Sequence, residues 1–99
     1  MPAYIFITRD KVRDQTEYEL YKSQVSATFA GHAVTPLAIQ GHFEVVEGSA
    51  AEAVFLLQFP TYEEATAWYR SPAYQALSRH RHLGSDHRYI IFDGLQLKA

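Results

Sequence analysis

The 99-residue chain predicts an α+β fold in the element order β-α-β-β-α-β. Three observations carry the prediction. Apolar and β-branched residues gather in short extended runs near both ends and in the middle, while two intervening segments repeat them every three or four residues. A capping signal stands before each helical segment. No linker, internal repeat or low-complexity stretch divides the chain, and at this length about two-thirds of the unfolded surface becomes buried. One domain over residues 1–99 is expected, with a core at 3–94 and a short tail at 95–99.

Ala3 to Arg9 (AYIFITR) reads as a strand, with Tyr4, Phe6 and Thr8 on one face and Ala3, Ile5, Ile7 and Arg9 on the other. Asp14 caps the first helix, with Glu17 as its capping-box partner. Tyr18, Tyr21, Val25 and Phe29 then mark one apolar face, and Gly31 supplies a left-handed stop. Ala33 to Thr35 and Phe43 to Val46 are short extended runs broken by Pro36 and Gly41, the pattern of a bent edge strand. After a turn at Gly48-Ser49, Ala53 to Phe59 (AVFLLQF) is apolar on both faces and belongs near the middle of a sheet. Thr61 and Glu64 open the second helix, which carries Tyr62, Ala65, Trp68 and Tyr69 at helical spacing. Ser71-Pro72 restarts it, since proline at the first helical position gives up an amide that needs no partner. Ala73 to Leu83 ends at Gly84, and Arg88 to Asp93 (RYIIFD) forms the last strand.

Two right-handed β-α-β units place both helices on one side of an antiparallel sheet, giving a ferredoxin-like sandwich of strand order 4-1-3-2. The helices shelter one face only. Ile5 or Phe6 and Leu56 or Leu57, depending on phase, then stand on the other. At roughly 25 cal/mol per Å², several hundred Å² of such surface forfeits on the order of 10 kcal/mol if left in water. A homodimer through the open sheet face is the expected remedy.

The chain has no cysteine, which excludes disulfides, thiolate metal sites and cysteine nucleophiles. Nine Lys and Arg against eleven Asp and Glu give a net charge of −2, with no general electrostatic attraction to nucleic acid or anionic membranes. No apolar run is long enough to span a bilayer, and Met1-Pro2-Ala3-Tyr4 enters a strand with no basic leader, so a cytoplasmic address is expected.

Chemistry is less legible. His80 and His82 lie two apart on a helix and point away from each other, and no recognised metal-ligand spacing joins them to His87 or Asp86. No metal and no cofactor is expected. Ser78 to Arg88 (SRHRHLGSDHR) is basic: Arg79 and Arg81 suit an anionic ligand, or equally a helix C-terminus. Tyr21, Trp68, Tyr69 and Tyr74 supply rings and hydroxyls where aliphatic side chains would fill space, so they either line a ligand pocket or pack as core. If the site is catalytic, His32 and His42 are the proton-transfer candidates. A small aromatic or carbonyl metabolite fits such a pocket. A non-catalytic metabolite-binding or structural dimer module fits the same residues, and whether the protein is an enzyme stays open.

The stretch FPTYEEATAWYRSPAYQAL, with Ala65, Trp68, Tyr69, Ser71, Pro72 and Tyr74, resembles the domain-of-unknown-function 1330 family. The likeness extends over Ala3 to Gly94, from Asp14 to Tyr21 through Glu47-Gly48 to the closing YIIFDG. The resemblance implies a dimeric α+β barrel, in which two ferredoxin-like sheets pack face to face. Proteins of that architecture include cofactor-independent monooxygenases, muconolactone isomerases, haem-degrading enzymes and polyketide cyclases, and architecture alone does not transfer their chemistry. The family's arginine after the first helix is missing here, where the chain reads Ala30-Gly31-His32-Ala33-Val34-Thr35-Pro36.

Overall fold

The computed structural model describes residues 1–95, so residues 96–99 of the expected tail lie outside the described residues. In chain order the elements are β1 (Ala3–Val12), α1 (Gln15–Gln24), a 3₁₀ turn (Val25–Phe29), β2 (Thr35–Ile39), β3 (Ala53–Phe59), α2 (Tyr62–Tyr69), α3 (Pro72–Gly84) and β4 (Ser85–Asp93). The sheet runs β2-β3-β1-β4 with every neighbouring pair antiparallel. This is the expected ferredoxin-like strand order.

The barrel is not formed. The sheet is open, with β2 and β4 as its edges. Four strands are too few to close around a filled interior, which takes about eight. The candidate closing edge, β2, is only five residues long, fully exposed, and bulged between Pro36 and Ala38.

Each helix begins where its capping side chain predicts. Asp14 accepts from the Glu17 amide at 3.2 Å, Thr61 Oγ1 from Glu64 at 3.1 Å and Ser71 Oγ from Tyr74 at 3.2 Å. Ser71 also donates to the Trp68 carbonyl at 2.8 Å, so one hydroxyl closes α2 and opens α3.

Ile5 lies opposite both Leu57 and Ile91, which fixes the phase of all three long strands. Ala3, Ile5, Ile7, Leu57 and Phe59 face the helices and pack with Tyr21, Ala65, Trp68, Tyr74 and Leu77 in one core. Trp68, Tyr74, Phe59 and Ile5 are its largest fully buried side chains. The opposite face carries Phe6, flanked by Leu56 and Ile90, with Tyr4 beside Phe92. Phe6, Ile90 and Phe92 are exposed there. Among the described residues no helix is long and apolar enough to cross a membrane.

Three strands differ from their sequence reading, since β1 runs on from Arg9 to Val12. β2 includes Pro36 and shifts to Thr35–Ile39, while Phe43 to Val46 lies in irregular chain. An edge strand tolerates proline because one row of its amides needs no partner in the sheet. β4 starts at Ser85, directly after α3, because β1 extends past a bulge between Arg9 and Lys11 to pair Val12 with Ser85.

Candidate functional site

α1 and the 3₁₀ turn do not close fully onto the sheet, and a cleft of about 370 Å³ remains between them. Tyr18, Tyr21 and Val25 line it from above because their spacing puts them on one helical face. Ile7, Phe55 and Leu57 form the floor, Pro36 and Ile39 of β2 one side, and His87 and Tyr89 of β4 the other. Trp68 and Phe29 complete it, their rings stacked at a centroid distance of 5.0 Å. Trp68 is held by its indole N–H, which donates to Thr28 Oγ1 at 3.0 Å. The lining is mainly apolar and aromatic with few polar groups, the composition of a small-molecule site.

Those polar groups are ordered. The Tyr21 hydroxyl sits 2.8 Å from that of Tyr74 and 2.9 Å from that of Tyr89. Burial, reinforced by the neighbouring phenols, pushes the Tyr21 and Tyr89 hydroxyls far above the usual tyrosine range, so both stay neutral at ordinary pH. Beneath Tyr89 the Arg81 guanidinium lies 4.3 Å from the ring centroid, itself only 3% exposed. His87 stacks on Tyr18 at 5.9 Å, and its Nδ1 is 2.9 Å from Ser85 Oγ. Ser85 Oγ in turn donates to the Arg81 carbonyl at 3.0 Å. Burial and the positive charges of Arg81 and Arg9 depress the His87 imidazole to about 4.

At the mouth a second, polar cleft of about 550 Å³ shares Tyr18, Lys22 and Gln40 with the first and adds Arg9, Glu19 and Glu52. Arg9 donates to the Tyr18 hydroxyl at 2.9 Å and approaches Glu52 at 3.4 Å. Among the described residues no three His, Cys, Asp or Glu side chains cluster to hold a metal ion.

The sequence candidates separate. Tyr21 and Trp68 line the cleft, Tyr74 backs it through its bond to Tyr21, and Tyr69 packs against Tyr74 and Tyr89. Arg81 is buried under Tyr89, whereas Arg79 is exposed. His32 is half-buried with its amide bonded to the Phe29 carbonyl, and His42 is exposed in the irregular segment; neither is part of the lining. His87 and Tyr89 are the polar ring-bearing lining residues of the sheet that sequence reasoning missed. Their signal was the period-two alternation of β4, which puts Ser85, His87, Tyr89 and Ile91 on the helix-facing side.

The sequence profile described as Domain of unknown function (DUF1330) matches residues 2–95. No curated protein matches the chain. Among solved structures, a protein of unknown function from Rhodopseudomonas palustris is similar at a TM-score of 0.75 and 20% identity, covering 97% of this chain and 84% of that one. A dimeric protein of unknown function with a ferredoxin-like fold, from Bacteroides fragilis, gives 0.61 and 10%, covering 94% and 96%. SnoaB, a cofactor-independent oxygenase from Streptomyces nogalater, gives 0.59 and 14%, covering 98% and 97%. At these identities the likeness is one of fold.

Proposed function

Because the chain belongs to the DUF1330 family, whose description names no reaction, we propose its function from the cleft itself: binding of a small aromatic or carbonyl-bearing organic molecule. The observation that carries this reading is an apolar cleft of about 370 Å³ into which His87 and the hydroxyl-bonded Tyr21 and Tyr89 converge. Rings on the walls accept a planar body by stacking, and the few polar atoms orient one or two heteroatoms. Tyr69 and Tyr74 hold the hydroxyl cluster in place from behind, and Arg81 supports it electrostatically.

Trp68 is the sole tryptophan of the chain and reports occupancy directly. Titration with 2-acetonaphthone is expected to quench its fluorescence saturably. Fluorescence unchanged up to the solubility limit of that ketone and of its hydroxylated and alkylated naphthalene analogues overturns the reading. SnoaB, described as a cofactor-independent oxygenase, supports a catalytic extension at the level of fold. Conversion of a bound aromatic ketone or phenol in air, followed by mass spectrometry, tests that extension separately.

The assembly proposed with this function is a homodimer in which a second copy covers Phe6, Leu56, Ile90 and Phe92. The exposure of Phe6, Ile90 and Phe92 on the helix-free face, with half-buried Leu56 beside Phe6, supports it, and so does the dimeric description of the Bacteroides fragilis protein of the same fold.

A further inference from the structure

Proton bookkeeping around His87 deepens the reading of the cleft as a ligand site, on which it rests. A serine hydroxyl has one proton, and that of Ser85 is donated to the Arg81 carbonyl at 3.0 Å. Ser85 Oγ therefore accepts in its 2.9 Å contact with His87, so the imidazole proton is on Nδ1. The opposite nitrogen, Nε2, is left as a bare lone pair. It has no hydrogen-bond partner among the described residues and is not sealed from solvent-sized space, while its ring forms part of the cleft wall. Arg81 and Arg9 face this imidazole, with Tyr18 and Tyr89 against it and Asp10 and Asp86 acting more weakly from β1 and β4. The net field keeps the ring neutral near pH 7.

The tyrosines obey the same count. Three hydroxyls carry three protons, and the two bonds among them consume two. Tyr74 is completely buried and Tyr21 is the hydroxyl within close hydrogen-bond distance of it, with Tyr89 and Arg81 acting on it less directly, so we take Tyr74 to donate to Tyr21; the reverse would leave its O–H without a close partner in the core. The spare proton is then on Tyr21 or Tyr89, and both line the cleft. One wall thus offers a single unmatched acceptor and a single unmatched donor.

We propose that the cleft selects planar hydroxyaryl ketones or their enol equivalents, the ligand hydroxyl donating to His87 Nε2 and the ligand carbonyl accepting the spare tyrosine proton. A ligand lacking either group leaves one buried polar atom unpaired, and it is this loss that discriminates. His87 is on this reading a recognition residue, and Ser85 is the positioning residue that sets its tautomer.

The test uses 6-acetyl-2-naphthol, its methyl ether and 6-ethyl-2-naphthol, each titrated against Trp68 fluorescence. Both analogues are expected to bind about tenfold more weakly than the parent, one unpaired buried group each. In His87→Phe the preference for the free hydroxyl over the methyl ether disappears, while the preference for the ketone over the ethyl compound persists. Long-range ¹H–¹⁵N correlation spectra of the unliganded wild-type protein at pH 7 are expected to show the His87 proton on Nδ1. A proton on Nε2, or equal binding of all three compounds, overturns this proposal while leaving the ligand site standing. Failure of all three naphthalenes and of 2-acetonaphthone to bind overturns the ligand site itself.

Discussion

His87 is an imidazole whose charge the fold opposes. Its value of about 4 lies below the ordinary 6.5 because burial and two arginines disfavour the cation. Between those limits the unfolded chain takes up a proton that the folded chain refuses, so stability falls as the pH drops from about 6.5 towards 4 and is fully present above 6.5. His87→Phe is expected to flatten that acid limb, read as the urea midpoint measured at half-unit pH steps. An unchanged slope would place the ionisation elsewhere. Ser85 makes a companion case at the same scale. Its hydroxyl is buried and bridges Arg81 to His87, so Ser85→Ala is expected to cost about 1–2 kcal/mol and to weaken the hydroxyl preference of the cleft. Loss of stability with that preference intact would make Ser85 a purely structural residue.

At the level of the elements, the tightest junction is between the end of α3 and the start of α1. A Cβ at Gly84 would meet the Tyr18 amide nitrogen at 2.6 Å and the Asp14 carbonyl oxygen at 2.9 Å. The Gly84 carbonyl accepts from the amides of Arg13 and Asp14 at 2.7 and 3.0 Å. Its backbone is outside the left-handed region, so glycine is required here for space rather than for conformation. Gly84→Ala is expected to destabilise by about 1–3 kcal/mol, read as a Tm several degrees lower. Wild-type Tm would mean that α1 shifts freely, and with it the roof of the cleft. Sequence reading reached this junction as a helix stop and missed the contact, since nothing local reveals which element passes overhead. The same limit explains His87. The helix caps, the doubled apolar faces of β3 and the spacing of Tyr18 and Tyr21 are local signals and were legible. The start of β4 depends on pairing with β1 beyond a bulge, seventy-odd residues away in sequence, and its phase decides that His87 faces inward.

The whole molecule leaves one face of its sheet without helices, and on it Phe6 is flanked by Leu56 and Ile90. Contiguous apolar surface of that kind is uncommon on a monomer. Light scattering at micromolar concentration is expected to give twice the chain mass for the wild type and a single-chain mass for Phe6→Lys, with unchanged circular dichroism. A dimer surviving Phe6→Lys would move the interface to another surface. The barrel inferred from resemblance is not formed, and the local pattern gave no warning because closure is a property of strand number and edge pairing, neither of which it determines.

Pro36 brings the rim of the sheet into the same account. Proline withholds a backbone N–H, and the adjoining bulge throws the strand out of line. The β2 rim is therefore a poor template for a foreign strand, and growth by edge-to-edge addition into fibrils is discouraged on that side of the sheet. The proposed dimer uses a flat surface instead, which saturates once a single neighbour has docked.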